Sequence, residues 1–160
     1  MSFRSGIGFD VHRFAKGREL VLGGVTVLSD RGLIGHSDAD VVTHAIMDAL
    51  LGAAALGDIG DHFPDTDDRW KDARSVDLLT QVRDKLAHRG YAIRNIDVSV
   101  MCEAPRLAPY RDRMTVELAA GLRLDRSQVS VKFGTNEGMG FVGRGEGIAA
   151  MAVASIEWVG

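Results

Sequence analysis

The sequence predicts an α+β fold, a two-layer α/β sandwich in which three helices lie on one face of a mixed β-sheet. Stretches whose apolar residues alternate, as in half-buried strands, are interspersed with stretches whose apolar residues recur every three or four positions, as in helices. The chain has 160 residues, is 46% hydrophobic and contains no linker-like segment, so we expect one domain over residues 1–160.

The N-terminal part is predicted to contain a strand, a hairpin and a helix. GIGFDVHRF, residues 6 to 14, predicts the first strand. VLGGVTV, residues 21 to 27, has two glycines between short β-branched runs, which predicts a hairpin that turns back on the first strand. DADVVTHAIMDALLGAA, residues 38 to 54, is rich in helix formers and contains or follows the candidate caps Ser37 and Asp38, so it predicts the first helix.

The middle part is predicted to contain two further helices and a strand. SVDLLTQVRDKLAHRG, residues 75 to 90, has Ser75 as a candidate N-cap and Gly90 as the stop of a helix. IRNIDVSVM, residues 93 to 101, alternates apolar and polar residues and predicts a strand. A third helix is expected to begin at Pro109, because proline suits the first helical position and apolar residues then recur every four positions.

The last two segments are predicted to be strands. QVSVKF, residues 128 to 133, alternates in the same way as the preceding strand. The segment from residue 147 to 159, GIAAMAVASIEWV, is apolar at both odd and even positions. This pattern fits either a buried helix or a strand covered on both faces, and we favour the strand. Because three helices cover only one face, we expect the second face of the sheet to pack against another subunit.

Composition excludes several classes of protein. The net charge of −3 arises from 19 basic and 22 acidic residues without a basic block, so nucleic acid is not expected as a partner. A single cysteine permits no internal disulfide and fits a reducing compartment. The N-terminus has no signal-like apolar segment and no run of about 18 apolar residues occurs, so we expect a cytoplasmic protein that does not enter the membrane.

A candidate metal site begins with Asp10 and His12. Residues two apart in a strand point to the same side, with Cα atoms about 6.6 Å apart, so the two side chains can converge on one ion. His44 on the first predicted helix is the candidate third ligand, and Asp40 or Asp48 could accept its second ring N–H. One carboxylate and two imidazoles suit Zn²⁺ with a fourth position left open, as in catalytic sites. The alternative is an ordinary hydrogen-bonded Asp–His pair and a surface histidine.

An aspartate-rich stretch, GDIGDHFPDTDD at residues 57 to 68, is a second candidate site. It does not fit a calcium-binding loop, because the twelfth position counted from Asp65 is Val76 rather than glutamate. Two interpretations stay open: a solvated turn, or a loop whose carboxylates and backbone N–H groups hold a hydroxylated substrate.

A glycine-rich stretch, GTNEGMGFVGRGEG at residues 134 to 147, contains the spacing G-x-G-x-x-G but lacks the context of a dinucleotide-binding fingerprint. Its Thr135 hydroxyl, Arg144 guanidinium and backbone N–H groups could bind phosphate, and Glu137 could bind a hard cation such as Mg²⁺. Tight turns alone are the alternative explanation of the glycines.

Taken together, the chain resembles the 2-C-methyl-D-erythritol 2,4-cyclodiphosphate synthase family. The resemblance rests on GFDVHRF, GHSDADVVTHAIMDALLGAAALGDIGDHFPDTD, the APRL turn and GFVGRGEGIA, and runs from the first strand to the last. It implies a metal-dependent phosphorus–oxygen lyase of the non-mevalonate pathway of isoprene biosynthesis, in a bacterial cytoplasm. The implied reaction converts 4-diphosphocytidyl-2-C-methyl-D-erythritol 2-phosphate to 2-C-methyl-D-erythritol 2,4-cyclodiphosphate plus CMP by intramolecular phosphoryl transfer. It also implies a homotrimer whose active sites lie between subunits.

The resemblance implies roles for individual residues. Zinc would be held by Asp10, His12 and His44, and a second divalent cation, Mg²⁺ or Mn²⁺, by Glu137. The implied catalytic residues are His36 and Thr135. The implied substrate contacts are Ser37, Asp58, Ile59, Gly60, Phe63, Pro64, Asp65, Thr66, Asp67, Cys102, Pro105, Arg106, Leu107, Ala108, Gly134, Asn136, Phe141 and Arg144.

Two departures from the family pattern concern the cytidine pocket. Arg106 stands where the family commonly has lysine, and Phe133 and Gly134 replace smaller or hydroxylated residues. Arginine keeps the charge but not the point-donor geometry of lysine. We therefore expect differences in how the cytidine end is bound, and no difference in the type of reaction.

Two other functions are considered. The first is a non-catalytic trimeric protein that binds an isoprenoid diphosphate in a cavity on the threefold axis, which the resemblance would line with Phe9, Phe141, Arg144 and Glu146. Alternatively, the phenylalanines pack a trimer core and Arg144 pairs with Glu146. The second is a structural zinc protein, which predicts a closed four-ligand site, but the sequence offers no fourth ligand near the triad.

Overall fold

The computed structural model describes residues 2–160. None of the helices in these residues is long and apolar enough to cross a membrane. The strands are β1 (Phe3–Lys16), β2 (Leu20–Leu22), β3 (Val25–Val27), β4 (Arg31–Leu33), β5 (Tyr91–Met101), β6 (Val129–Gly134) and β7 (Gly147–Trp158). The helices are α1 (Val41–Ala53), α2 (Ile59–His62), α3 (Ser75–His88), α4 (Arg111–Leu122) and α5 (Gly140–Gly143).

Five of the strands form one mixed sheet in the order β4-β1-β7-β5-β6. The pair β5–β6 is parallel and the other pairs are antiparallel. A parallel pair needs a crossover connection, and α4 supplies it. The predicted α+β fold with a mixed sheet is therefore confirmed.

The predicted hairpin at residues 21 to 27 forms, but the prediction that it turns back on the first strand is wrong. Within the described residues, β2 and β3 pair only with each other, in a separate two-stranded sheet, while β1 pairs with β4 and β7. Gly23 and Gly24 both have positive φ, as a two-residue type I′ turn requires. Their backbone N–H groups donate to the buried Asp40 carboxylate, which ties the hairpin to the start of α1.

Two glycines let α1 approach β1 closely. A Cβ on Gly6 would lie 2.0 Å from the Ala49 carbonyl oxygen, and a Cβ on Gly8 would lie 1.9 Å from that of Ala45. Only glycine permits this backbone-to-backbone packing. The first turns of α1 are thereby held against the part of β1 that carries the candidate metal ligands.

The final segment is a strand, as predicted, and its two faces differ. Alternate residues of β7, from Ile148 to Ile156, are fully buried beneath the helices. The opposite face of β1 and β7 exposes apolar side chains, among them Ile7 (66% exposed) and Phe9 (53% exposed), as well as Met151 and Val153. This face is an apolar surface that no element within residues 2–160 covers, in agreement with the expected subunit contact; the trimer itself stays a prediction.

Two predicted helix caps are wrong. The N-cap of α1 is Asp40, whose side chain accepts from the Thr43 backbone N–H, rather than Ser37 or Asp38. Ser75 is the first residue of α3 and not its cap, because its hydroxyl donates to Asp38 instead. The predicted end of α3 and the predicted start of α4 agree more closely with the structure. Gly90, with φ of +79°, follows the end of α3, and Pro109 lies in a 3₁₀ turn directly before α4.

Candidate active site

Asp10, His12 and His44 converge as the sequence predicts. His12 Nε2 lies 3.0 Å from Asp10 Oδ2, His44 Nδ1 lies 3.1 Å from the same oxygen, and the two nitrogens are 3.2 Å apart. Ligands about 2.0 Å from a tetrahedral zinc ion are about 3.3 Å from one another. The three atoms therefore form a nearly equilateral triangle of the size that one face of such a site requires, and they are a candidate metal site.

Local structure explains this convergence. Asp10 and His12 lie on the face of β1 that also carries Gly8, which is the face against α1. His44 lies in the first turn of α1, whose Ala45 carbonyl oxygen would touch a Cβ on Gly8. The period of two in the strand and the close packing of the helix together bring the third ligand to the first two.

Hydrogen bonds on the far side of each ring fix the two imidazoles. His12 Nδ1 donates to the Ile34 carbonyl oxygen at 2.7 Å, which leaves the lone pair of Nε2 facing the triangle. His44 Nε2 contacts the Ser75 hydroxyl at 2.8 Å and the Ser37 hydroxyl at 3.1 Å, which leaves Nδ1 facing it. Such partners orient histidine ligands in metal sites.

The predicted partners of His44, Asp40 and Asp48, are wrong. Asp40 is fully buried and accepts from the Gly23 and Gly24 N–H groups and from both the N–H and hydroxyl of Thr43. Burial and the nearby Asp38 charge raise its pKa in spite of these donors. Asp48 Oδ1 accepts from the backbone N–H of Ile59 at 2.8 Å. Asp40, His44 and Asp48 follow one another at intervals of four residues and span about 12 Å along the helix axis, so Asp40 and Asp48 contact different neighbours.

The electrostatics of the triad favour positive charge among its three groups. Burial opposes ionisation of Asp10, but the close contacts of its carboxylate with the His12 and His44 imidazoles outweigh it and lower its pKa to about 2. Burial likewise opposes protonation of His12, and the Asp10 carboxylate outweighs it and raises the His12 pKa. The site thus holds a carboxylate that attracts positive charge, which a proton or a metal ion can supply.

The triad opens into a cavity of about 440 Å³. Its wall includes many of the residues expected to contact substrate, and these come from two stretches of the chain, one at residues 36–37 and the other the aspartate-rich stretch. They are His36, Ser37, Ile59, Gly60, Phe63, Pro64 and Asp65.

Three of the expected contacts in the aspartate-rich stretch do not line this cavity. Asp58 caps α2, where its side chain accepts from the Asp61 N–H. Asp67 pairs with the exposed Arg69, and its backbone carbonyl oxygen accepts from His36 Nε2 at 2.9 Å. Thr66 is exposed and outside the wall. Both interpretations of the stretch thus hold in part: one section faces the cavity and another forms a solvated turn.

Sequence reasoning missed several residues of the site. Gly35, Trp70 and Leu78 line the cavity, and Ser75 contacts His44. Gly35 is adjacent to the singled-out His36, which was an available signal. Trp70 and Leu78 carry no polar pattern that distinguishes them from core residues.

A second cavity, of about 350 Å³, collects the residues expected at the cytidine end. It shares no lining residue with the first cavity. Its wall is mainly apolar, and Glu103 and Phe133 join the expected residues there. Those expected residues are Cys102, Pro105, Arg106, Leu107, Ala108, Gly134 and Thr135.

Four further residues of the glycine-rich stretch lie outside both cavities. The Asn136 backbone N–H donates to Glu103 at the edge of the second cavity, and Glu137 is exposed. Phe141 belongs to the single helical turn α5. Arg144 Nε pairs with Glu146 at 2.8 Å, which is the pairing considered as the alternative to a ligand contact.

The chain is similar to known proteins over nearly its whole length. A match to the YgbB family covers residues 3–157. A 2-C-methyl-D-erythritol 2,4-cyclodiphosphate synthase from Salinibacter ruber is 57% identical over 154 residues, which are 96% of this chain and 98% of the relative. Bifunctional IspDF from Campylobacter jejuni superposes with a TM-score of 0.95 at 43% identity, over 98% of this chain and 42% of that one. IspF of Plasmodium falciparum in its CDP complex superposes with a TM-score of 0.86 at 30% identity, over 99% and 98% of the two chains.

Proposed function

Because this chain belongs to the YgbB family, we propose that it converts 4-diphosphocytidyl-2-C-methyl-D-erythritol 2-phosphate to 2-C-methyl-D-erythritol 2,4-cyclodiphosphate and CMP. The observation that carries the proposal is the triangle of Asp10, His12 and His44, which opens into a cavity large enough for a small phosphorylated polyol. The enzyme is a metal-dependent phosphorus–oxygen lyase of isoprene biosynthesis, and residues 1–160 act as one domain.

The reaction is an intramolecular phosphoryl transfer. An oxygen of the 2-phosphate forms a bond to the β-phosphorus, and the bond from that phosphorus to the oxygen bridging it to the α-phosphorus breaks. That oxygen leaves with CMP, and an eight-membered ring closes. Two negatively charged groups must approach each other, so positioning and charge stabilisation supply most of the catalysis.

The donor set of the triad fits zinc. Two imidazoles and one carboxylate, with a cavity on the fourth side, are typical of catalytic zinc sites, whereas a structural site would be closed by a fourth protein ligand. A zinc ion held by Asp10, His12 and His44 would supply positive charge that polarises a phosphoryl oxygen. Within residues 2–160, no fourth histidine, cysteine or carboxylate joins the triad, and this argues against a structural zinc protein.

The other residues of the first cavity hold the substrate. Ser37 presents a hydroxyl beside His44, and Ile59, Gly60 and the residues from Phe63 to Asp65 form the wall that holds the methylerythritol phosphate. The His36 imidazole is anchored to the Asp67 carbonyl oxygen, so its ring has a fixed orientation at the cavity. We assign His36 and Thr135 to stabilising the charge that develops on the phosphates, as preorganised donors do in phosphoryl transfer.

The complete active site requires more than one chain. The two cavities of one chain have no residue in common, although the substrate joins a cytidine to the reacting phosphates. A homotrimer resolves this, because the cytidine pocket of one subunit then lies beside the triad of its neighbour. The exposed apolar face of β1 and β7 is the surface that such a trimer buries.

Three finer assignments complete the proposal. Glu137 holds the second divalent cation, Mg²⁺ or Mn²⁺, near the α- and β-phosphates, since its exposed carboxylate is a hard oxygen ligand. The protein acts in a bacterial cytoplasm. An isoprenoid diphosphate in the threefold cavity is a secondary ligand, and the Arg144–Glu146 pair makes this assignment weaker, since the Glu146 carboxylate beside Arg144 repels a second anion.

A binding protein without catalysis is the alternative function, and the triad argues against it. A pure binder of isoprenoid diphosphates has no use for three metal ligands that converge on an open cavity on the helix-covered side of the sheet. The alternative predicts binding of an isoprenoid diphosphate without release of CMP from the cytidyl substrate.

The experiment is to incubate the protein with the cytidyl substrate and Mg²⁺ and to follow CMP by mass spectrometry. We expect CMP and the cyclodiphosphate to appear together, to stop after treatment with a zinc-selective chelator, and to return on addition of zinc. Magnesium stays in excess throughout, so the chelator tests the triad metal alone. Unchanged CMP release from zinc-free protein would contradict the role of the triad, and absence of CMP from zinc-loaded protein would contradict the function.

A further inference from the structure

A chain of hydrogen bonds extends from His44 away from the cavity. His44 Nε2 lies 2.8 Å from Ser75 Oγ, and the Ser75 hydroxyl in turn donates to Asp38 Oδ1. The second carboxylate oxygen of Asp38 accepts from the Ser75 backbone N–H at 3.0 Å. Ser75 is fully buried, so water does not compete for its hydroxyl.

Chemistry fixes the direction of these bonds. An ionised carboxylate only accepts, so the single Ser75 hydroxyl proton points to Asp38. The Ser75 oxygen can then only accept from His44, which requires that the proton of the imidazole be on Nε2. The Nδ1 atom, which faces Asp10 and His12, is left with a free lone pair.

We propose that Ser75 and Asp38 are positioning residues that hold the His44 imidazole in the orientation and tautomer that bind the metal. The inference rests on the proposed metal site. The relay places a carboxylate behind a histidine ligand through one hydroxyl, and partners of this kind raise ligand basicity and commonly change metal affinity by about 10–100-fold when removed. It also links the ligand to the start of α3, since Asp38 binds both the hydroxyl and the N–H of Ser75.

The Ser37 hydroxyl does not replace this relay. The Ser37 oxygen lies 3.1 Å from His44 Nε2, whereas the Ser75 oxygen lies 2.8 Å from it, so Ser37 makes the longer of the two contacts to the ring. The two hydroxyl oxygens are 3.4 Å apart. No carboxylate accepts the Ser37 hydroxyl proton among the described residues, and this hydroxyl faces the cavity. Its oxygen also accepts from the Ala39 backbone N–H, but at a long 3.4 Å, so the Ser37 hydroxyl can turn toward a substrate, whereas Ser75 is held by Asp38.

The first test is Ser75→Ala, which removes the hydroxyl but keeps the bond from the Ser75 backbone N–H to Asp38. We expect zinc to bind about 10–100-fold more weakly in competition with a chromogenic chelator, and the absorption spectrum of the cobalt-substituted protein to change. Thr80→Ala is the matched control, since it deletes a hydroxyl from the same helix that bonds only to the Asp77 carbonyl oxygen. Native-like zinc affinity and cobalt spectrum in Ser75→Ala would overturn the inference.

A second measurement uses the native, zinc-loaded protein and needs no variant. Long-range ¹H–¹⁵N NMR spectra distinguish the two ring nitrogens of His44. We expect a proton on Nε2 that exchanges slowly with water, and metal bound through Nδ1; a metal-bound Nε2 or a rapidly exchanging proton contradicts the relay. If the native protein binds no zinc, the proposed function fails instead, so the two failures are distinguishable.

Discussion

His12 Nε2 and His44 Nδ1 lie 3.2 Å apart, although 32 positions separate the two residues in the chain. Among residues 2–160, the protein partners of these two atoms are the shared Asp10 oxygen and each other. Two nitrogen lone pairs and a carboxylate oxygen repel one another at these distances unless positive charge lies between them. The arrangement is therefore stable only with a proton or a metal ion among the three groups.

His44→Ala is expected to abolish zinc binding and CMP release together, because it removes one of three ligands. The measurement is metal content after dialysis and CMP by mass spectrometry. His88→Ala is the matched control, since His88 is an exposed helical histidine that bonds only to the Asp84 carbonyl oxygen. Full CMP release by a zinc-free His44→Ala protein would disprove the assignment.

The metal ligands could be predicted from the sequence, but their supporting residues could not. Asp10 and His12 are two apart in a strand, so their common side follows from the backbone period alone. Asp38 and Ser75 are 37 positions apart, and the pattern of each is that of an ordinary helix cap. Which helix a cap residue binds depends on how the elements pack, and one sequence does not contain that information.

The same limit applies to the fold. The apolar pattern of β7 fitted either a buried helix or a strand, and the favoured strand is confirmed, with its helix-facing residues buried at alternate positions. The glycine pair predicted the hairpin of β2 and β3, because a type I′ turn is a local requirement. Its place against α1 was not predictable, because that depends on the Asp40 carboxylate accepting from Gly23 and Gly24.

Gly8→Ala is expected to destabilise the fold by about 3 kcal/mol or more, because the new Cβ would overlap the Ala45 carbonyl oxygen and push α1 away. Zinc affinity should fall as well, since α1 carries His44. Gly52→Ala, in α1 itself, is the contrasting variant: its Cβ would meet only the Ile7 carbonyl oxygen, at 3.9 Å. We expect it to stabilise the protein by about 0.5–1 kcal/mol. Urea unfolding measures both, and equal effects would contradict the packing argument.

Cys102 is expected to react slowly with thiol reagents. Burial raises the pKa of its thiol from 9.0 to about 11, and the thiolate is the reactive form. At pH 8 this lowers the thiolate fraction about 100-fold relative to the unfolded chain, and reactivity should rise as the pH approaches 11. Because Cys102 lines the second cavity, CMP should slow labelling further. Rapid labelling of the native protein at pH 8, unaffected by CMP, would contradict both its burial and the nucleotide assignment.

Ile7→Glu tests the apolar face of the sheet. A charge at this 66% exposed position costs little in a single chain but is unfavourable in a buried contact between subunits, so we expect the proposed trimer to dissociate. Light scattering should then give the mass of one 17.3 kDa chain instead of three. Leu28→Glu is the control, because Leu28 is 86% exposed and lies outside that face.

The isolated Ile7→Glu chain should still bind zinc, since one chain supplies all three ligands, yet release no CMP, since the cytidine pocket of a neighbour is missing. CMP release by a monomer would show that one chain holds the whole active site.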